Sequence, residues 1–283
     1  MNRIAIFAHY DGQNEVKPYI LILLRALREV CEEVLFVSTA RLPDSELSKV
    51  APFCGRAQLQ QNLGYDFGMW QQGLASVALE NADEVVLTNS SVFGPIFPLA
   101  PIFEQMARHE CDFWGMTDSF EIRWHLQSYF LVLKQRALRS PAFSRFFESI
   151  LAYRDKEQLI RSYELGLTLF LREQGLSPAA FVPMGSWLQS ASQRSRLCGR
   201  RRNPTLYFPQ QLIAAGMPLV KAQLLRDNPA GVPLKPVLRA MQARGYDTSL
   251  IQFDRATVAR PSFVESLRER INRHRVESER DEP

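Results

Sequence analysis

The chain has 283 residues, 46% of them apolar, with a formal net charge of +4 and a pI near 8.9. That is enough apolar material for one large α/β domain, or one domain with a smaller appendage, and it excludes disorder over most of the length. The charge excess is mild, so it suits an anionic substrate or a membrane surface and gives no support to a nucleic-acid partner. The four cysteines, Cys31, Cys54, Cys111 and Cys198, are scattered, without the spacing of a zinc site or a disulfide framework, which points to a reducing cytoplasm. The first strand-like run, Arg3-Ile4-Ala5-Ile6-Phe7-Ala8, has no charged leader or small-residue cleavage site, and no apolar run approaches membrane-spanning length. Neither signal-directed export nor integral insertion is expected.

Residues 4–8 read as a buried strand that stops at the polar turn His9-Tyr10-Asp11-Gly12. A helix over residues 16–31 follows, with Ile20, Leu23, Leu24, Leu27 and Val30 at helical spacing, and then a strand at residues 34–37. Pro43-Asp44 starts a short helix through Leu47 and Val50, and a third short strand precedes Gln61. Next comes the stretch Gln61-Asn62-Leu63-Gly64-Tyr65-Asp66-Phe67-Gly68-Met69-Trp70, a glycine-rich loop opening a helix that continues through Leu74, Val77 and Ala78. Asp66 is placed either to cap the first turn or to meet a ligand beside the free backbone N–H groups of a helix start. Residues 84–88 form another short buried strand, and it stops at Asn89-Ser90-Ser91. Polar residues where a buried strand ends read as a site.

Alternating strands and helices predict an α/β fold, a mostly parallel sheet covered on both faces. Ligands of such sheets bind outside the carboxyl ends of strands, so His9 to Asp11, Asn62 to Asp66 and Asn89 to Ser91 are expected to converge. Beyond Pro98, a helix to about residue 109 leads to two aromatic-rich strands, at residues 111–119 and 124–133. Alternation in the second would turn at most one of Gln127 and Ser128 toward a ligand. Helical patterns resume over residues 134–153, and Tyr163-Glu164-Leu165-Gly166-Leu167 opens a helix ending at Gly175, with Glu164 where the helix dipole favours a carboxylate. A soft boundary near residue 190 divides a main unit, residues 1–190, from a C-terminal appendage, residues 191–283. The appendage begins with Arg194, Arg196, Arg200, Arg201 and Arg202, a solvated loop by default, or a contact to anionic phospholipid or to a pyrophosphate-linked acceptor. An amphipathic helix is expected from Pro261 to about Val276.

Several residues allow a structural and a functional reading. Asp11 closes a turn or accepts a base or ribose hydrogen bond, and His9 and His125 are hydrogen-bonding residues before they are ligands. Among Phe113, Trp114, Tyr129 and Phe130, chiefly core residues, Trp114 is the candidate for stacking on a sugar. The phosphate-binding, dinucleotide-binding and nucleophile-elbow glycine motifs are not found, which weakens NTPase, dehydrogenase and hydrolase readings.

His9-Tyr10-Asp11, Asn62-Leu63-Gly64-Tyr65-Asp66-Phe67-Gly68, Asn89-Ser90-Ser91 with Gly94-Pro95, Asp112-Phe113-Trp114-Gly115 with Thr117, His125-Leu126-Gln127-Ser128-Tyr129-Phe130, Tyr163-Glu164 with Gly166, and Asn203-Pro204 with Pro218 and Lys221 follow one another in a specific order. In this the sequence resembles the rhamnan synthesis F family of polysaccharide-building glycosyltransferases, which are similar to GT-A transferases. The resemblance implies a GT-A-like sheet and transfer of a sugar, commonly rhamnose, from a nucleotide-sugar such as dTDP- or GDP-rhamnose. The acceptor it implies is a growing lipid-linked polysaccharide of lipopolysaccharide O-antigen type, at the cytoplasmic membrane face.

The resemblance also implies roles. His9, Asp11, Asn62, Gly64, Tyr65, Asp66, Asn89, Ser90, Ser91, Gln127 and Lys221 would line the donor site. GT-A enzymes place an Asp-x-Asp-type metal cluster where this chain has Asn89-Ser90-Ser91, and the family usually carries Asn-Asp-Ser there. With Ser90 in the carboxylate's place, Asn89 and Ser91 offer Mg²⁺ or Mn²⁺ only neutral oxygens, and Lys221 or an arginine is an alternative counter-charge for the diphosphate. An inverting transfer needs one carboxylate base, for which Glu164 is the first candidate, its structural alternative being a helix cap, and Asp112 the second. A non-catalytic nucleotide-sugar- or glycan-binding subunit of a polysaccharide assembly complex is the competing expectation.

Overall fold

The computed structural model describes residues 1–62, 64–121, 123–150, 163–187 and 203–252. The central sheet holds β1 (Arg3–His9), β2 (Glu33–Ser38), β3 (Arg56–Leu59), β4 (Glu84–Asn89), β6 (Phe113–Ser119), β7 (His125–Leu126), β8 (Phe130–Lys134) and β9 (Pro178–Val182). Its order is β3-β2-β1-β4-β8-β6-β7, with β9 beside β6. β1 pairs in parallel with β2 and β4, β2 with β3, and β6 with β9, whereas β8 lies antiparallel between β4 and β6. All but β7 and β8 therefore run one way, which agrees with the mostly parallel α/β sheet expected.

Every residue of β1 is buried, because both faces of the sheet are covered and each strand must be apolar on both. Ala5 and Phe7, with Val34 and Phe36 of β2 and Val86 of β4, enter one core; Ile4, Ile6 and Ala8, with Leu35, Val37, Val85 and Leu87, enter the other. The two-residue period of the strands divides the apolar residues between the layers. Helix α1 (Pro18–Val30) covers the first face, burying Ile20, Leu23, Leu24 and Leu27 at three- and four-residue spacing, each worth about 1.5–3 kcal/mol. Helices α2 (Asp44–Val50) and α4 (Leu99–Ala107) bury Val50 and Met106 in the same core. Helices α3 (Tyr65–Leu74), α5 (Gln135–Leu138), α6 (Pro141–Glu148) and α7 (Leu165–Glu173) feed the second, through residues such as Trp70, Ala137, Phe147 and Leu171.

A third, smaller core lies under α9 (Pro204–Tyr207), α10 (Pro209–Ala214), α11 (Ala222–Asp227) and α12 (Leu234–Gln242), which follow α8 (Met184–Trp187). It is sewn to the main sheet's edge by β5 (Val92–Phe93) and β10 (Val220–Lys221), which pair antiparallel. The expected boundary near residue 190, the arginine-rich stretch, Cys198 and the expected helix from Pro261 lie outside the described residues. Among the described residues, no helix is long and apolar enough to cross a membrane.

Local expectations needed three corrections. Helix α3 stops at Leu74 instead of continuing through Val77 and Ala78, since Ser76 N turns back to Gly73 O at 3.0 Å and the Ser76 hydroxyl to Gln72 O at 2.8 Å. The expected strand at residues 124–133 is two, β7 and β8, with Gln127, Ser128 and Tyr129 between them. Helix formation after Lys134 breaks into α5 and α6, because Pro141 cannot continue α5 and instead begins α6, capped by the Ser140 hydroxyl.

Candidate active site

The carboxyl ends of the parallel strands bring together His9, Ser38, Asn89, Ser119 and Val182, and β8 enters its antiparallel path at the same edge. Asn89 is the centre of the polar cluster there. Its register partner is Ala8, next to His9, and only 4% of its surface is exposed. Asn89 Oδ1 accepts from the Ser91 backbone N–H at 3.0 Å and from the Ser91 hydroxyl at 2.6 Å, while Asn89 Nδ2 donates to Asp66 Oδ2 at 2.9 Å. Asp66 does not cap its helix: the N-cap is Gly64, in the left-handed region at φ 99°, and no side-chain cap bond forms. The glycine lets the chain turn so that the first turn of α3 points its carboxylate at β4. Ser90 lies at the surface side of the cluster, its backbone N–H bonded to Ala8 O at 3.1 Å and its carbonyl accepting from the Tyr19 hydroxyl at 2.9 Å.

Lys221 reaches this cluster from far along the chain. Its Nζ donates to Ser91 Oγ at 3.3 Å and lies 4.7 Å from the centre of the Tyr129 ring. The short β5–β10 pair sets that position: Lys221 is in register with Val92, and Ala222 N donates to Ser91 O at 2.8 Å. Gly94, at φ 127°, makes the approach possible, since a Cβ there would sit 2.5 Å from the backbone oxygen of Pro218.

Glu164 stands at the start of α7 and accepts from the Ser128 hydroxyl, Oγ to Oε1, at 2.9 Å. Ser128 adjoins Tyr129, whose carbonyl accepts from the Thr88 hydroxyl at 2.9 Å, one residue before Asn89. Glu164 and the Asn89 cluster are thus linked through neighbouring residues of the β4–β8 pair. Gln127, 2% exposed, accepts from Asn203 Nδ2 at 3.3 Å; the same amide donates to Glu121 at 3.2 Å, and Asn203 Oδ1 caps α9 through Thr205 N at 3.1 Å. Since Gln127 and Ser128 lie in the connection between β7 and β8, with Ser128 in a turn, the alternation of one continuous strand does not govern where they point.

His9 is fully buried, with Nδ1 2.8 Å from Ser38 Oγ. Burial pulls its pKa down to about 4, only partly offset by the nearby charge of Asp11, so the ring is neutral at pH 7. Asp11 closes its own loop, Oδ1 accepting from Gln13 N at 2.8 Å and Glu15 N at 3.2 Å. Tyr65 carries a positive φ of 52° beside Gly64, and Asn62 is exposed at the loop.

The structure separates Asp112 from this group. It precedes β6, at the amino end of a strand whose carboxyl end faces the site. Its Oδ2 accepts from Arg136 Nη1 at 2.7 Å and from Ser177 N at 2.7 Å, so its carboxylate pins β9 to the sheet. Trp114 is also displaced from the expected role, being fully buried with its ring edge-on to Phe103 at 5.3 Å. Asp118 is the carboxylate that sequence reasoning passed over. Near the carboxyl end of β6 and 5% exposed, it accepts from Met184 N at 2.7 Å and the Trp124 indole at 2.8 Å, and burial raises its pKa. It lay inside a buried strand pattern, where only the two-residue period could have set it apart.

A family model described as rhamnan synthesis protein F matches residues 34–282. The chain belongs to this family. Among curated relatives of this rhamnan synthesis F chain, the virulence protein VirA of Vibrio anguillarum is 29% identical over 197 residues, 62% of this chain and 63% of that one. The chain thus spans about 63% of the length of that relative. A 4-diphosphocytidyl-2C-methyl-D-erythritol synthase from Anaerococcus prevotii matches at 11% identity and a TM-score of 0.40, covering 63% of this chain and 86% of its own. Glucosyl-3-phosphoglycerate synthase from Mycobacterium tuberculosis, in complex with Mn²⁺, UDP-glucose and phosphoglyceric acid, matches at 13% identity and a TM-score of 0.36, covering 48% of this chain and 57% of that one.

Proposed function

We propose that this chain is a glycosyltransferase of polysaccharide synthesis, moving a sugar from a nucleotide-sugar donor to a growing glycan with inversion at the anomeric carbon. The observation that carries the reading is the Ser128–Glu164 contact. It holds a half-buried carboxylate at a helix start, on the same sheet edge as the Asn89 cluster. A base in that place takes the proton from an acceptor hydroxyl as its oxygen bonds to the anomeric carbon and the sugar–phosphate bond breaks. Asn89, Ser91 and Asp66, with His9 and the 11–16 loop beside them, form the donor side, and Asn203 joins Gln127 to the C-terminal helices, which complete the cleft.

Family membership supports the finer terms of the proposal. Rhamnose is the sugar, dTDP- or GDP-rhamnose the donor, and a lipid-linked oligosaccharide at the inner face of the cell membrane the acceptor. A non-catalytic binding subunit is favoured by one observation, the serine at position 90. Calorimetric titration with dTDP-rhamnose, GDP-rhamnose and UDP-sugars, followed by a transfer assay with the donor that binds, separates the two. Selective donor binding with product formation supports the transferase; donor binding without turnover supports the binding subunit.

A further inference from the structure

The family resemblance would place a divalent ion at Asn89-Ser90-Ser91, yet the donor set built there does not fit one. Mg²⁺ and Mn²⁺ take charged, unencumbered oxygens. Asn89 Oδ1 is already the acceptor of two hydrogen bonds from Ser91, and the Ser91 hydroxyl is committed to Asn89 while receiving Lys221. The carboxylate bonded to this cluster, Asp66, is engaged by the Asn89 amide. Among the described residues, no group of three or more His, Cys, Asp or Glu side chains is arranged to hold a metal ion. The ammonium of Lys221, 3.3 Å from Ser91 Oγ, would also repel a dication there.

A cation is nevertheless what a leaving diphosphate requires, and the fold supplies one with care. The β5–β10 register, the Ala222–Ser91 backbone bond and the close passage at Gly94 all serve to bring Lys221 to the end of β4. The Tyr129 ring then holds the ammonium beside Ser91, 4.7 Å from the ring centre.

We propose that Lys221 takes the place of a divalent cation, binding the diphosphate of the nucleotide-sugar so that transfer proceeds without metal. This rests on the reading of the chain as a sugar transferase. In the step, the acceptor oxygen bonds to the anomeric carbon, its proton passes to Glu164, and the electron pair of the breaking carbon–oxygen bond leaves on the terminal phosphate. That group gains one negative charge, which Lys221 neutralises.

The test uses the full chain. Binding of UDP, dTDP and GDP, and of the corresponding nucleosides, is measured calorimetrically in excess EDTA and again with Mg²⁺ or Mn²⁺, for wild type, Lys221→Met and Lys221→Arg, with circular dichroism to check folding. The expected result is nucleoside diphosphate binding unchanged by EDTA, weakened roughly tenfold in Lys221→Met and largely kept in Lys221→Arg, with nucleoside binding unaffected. Turnover should likewise resist EDTA and fall roughly 100-fold in Lys221→Met. Diphosphate binding that needs added metal, or that is indifferent to Lys221→Met, overturns the proposal, as does the lack of any diphosphate binding by wild type. Failure of the wild type to transfer sugar from any donor counts against the transferase reading, and the EDTA and Lys221 comparisons of diphosphate binding are read independently of it.

Discussion

The Ser128 hydroxyl donates to Glu164 Oε1 at 2.9 Å, bridging the turn before β8 and the start of α7. A carboxylate that must meet an acceptor hydroxyl gains from being held in one rotamer, and Ser128 is the group that holds it. Ser128→Ala is expected to lower kcat roughly 10- to 100-fold, the range of a hydrogen bond to a charged group, with donor affinity unchanged and Ser128→Thr recovering part of the loss. Steady-state kinetics with separate donor titration checks this. A wild-type kcat in Ser128→Ala would remove Ser128 from the positioning of Glu164.

Asp112 makes the opposite case. Its bonds to Arg136 and Ser177 N are structural and lie at the far end of the sheet, and the Arg136 side chain is 68% exposed, so solvent screens the pair. Asp112→Asn should cost about 1 kcal/mol in urea unfolding and leave kcat alone. A large fall in kcat without loss of stability would restore Asp112 as a base.

Stability should depend on pH through His9. Its pKa falls from 6.5 in the unfolded chain to about 4 in the fold, so between these values the unfolded chain binds the proton that the native one refuses. Stability from this group is complete above about pH 6.5, declines as pH drops toward 4 and levels off below, a total of about 3 kcal/mol at 1.36 kcal/mol per pKa unit. Denaturant unfolding of wild type and His9→Gln across that window checks it, since the variant should lose this part of the slope.

Gly94→Ala is expected to cost roughly 1–3 kcal/mol, because the residue would need a positive φ and its Cβ would collide with the Pro218 carbonyl. The same collision pushes β10 away from β5, so nucleoside diphosphate affinity should fall along with the melting temperature. An alanine variant with wild-type stability would contradict the close passage between Gly94 and Pro218.

What could be read in the sequence follows from the range of the interactions involved. The strands β1, β2 and β4, the helix α1 and the polar stop at Asn89 are local patterns of periodicity and termination, and they were legible as such. Parallel topology followed from alternation, and with it the placing of His9 and Asn89 at the same end of neighbouring strands. The burial of Trp114 was not legible, since a lone tryptophan in a strand gives no sign of which layer covers it. Nor was the Asp112–Arg136 pair, which depends on β6 running so that Asp112 falls at its amino end. The family resemblance singled out Lys221, but the two-residue β5–β10 pairing that seats it carries no periodic signal. Gln127 and Ser128 were singled out in the sequence, but the break between β7 and β8 that frees them from strand alternation was not legible, because the segment looks like one aromatic strand.

The most direct test of the central claim is Glu164→Gln, with turnover and donor binding measured on the same preparation. The substitution keeps an oxygen that can accept from Ser128 and removes the capacity to take a proton. A base at Glu164 predicts turnover reduced by at least about 100-fold with donor binding retained. Turnover at the wild-type level would contradict it.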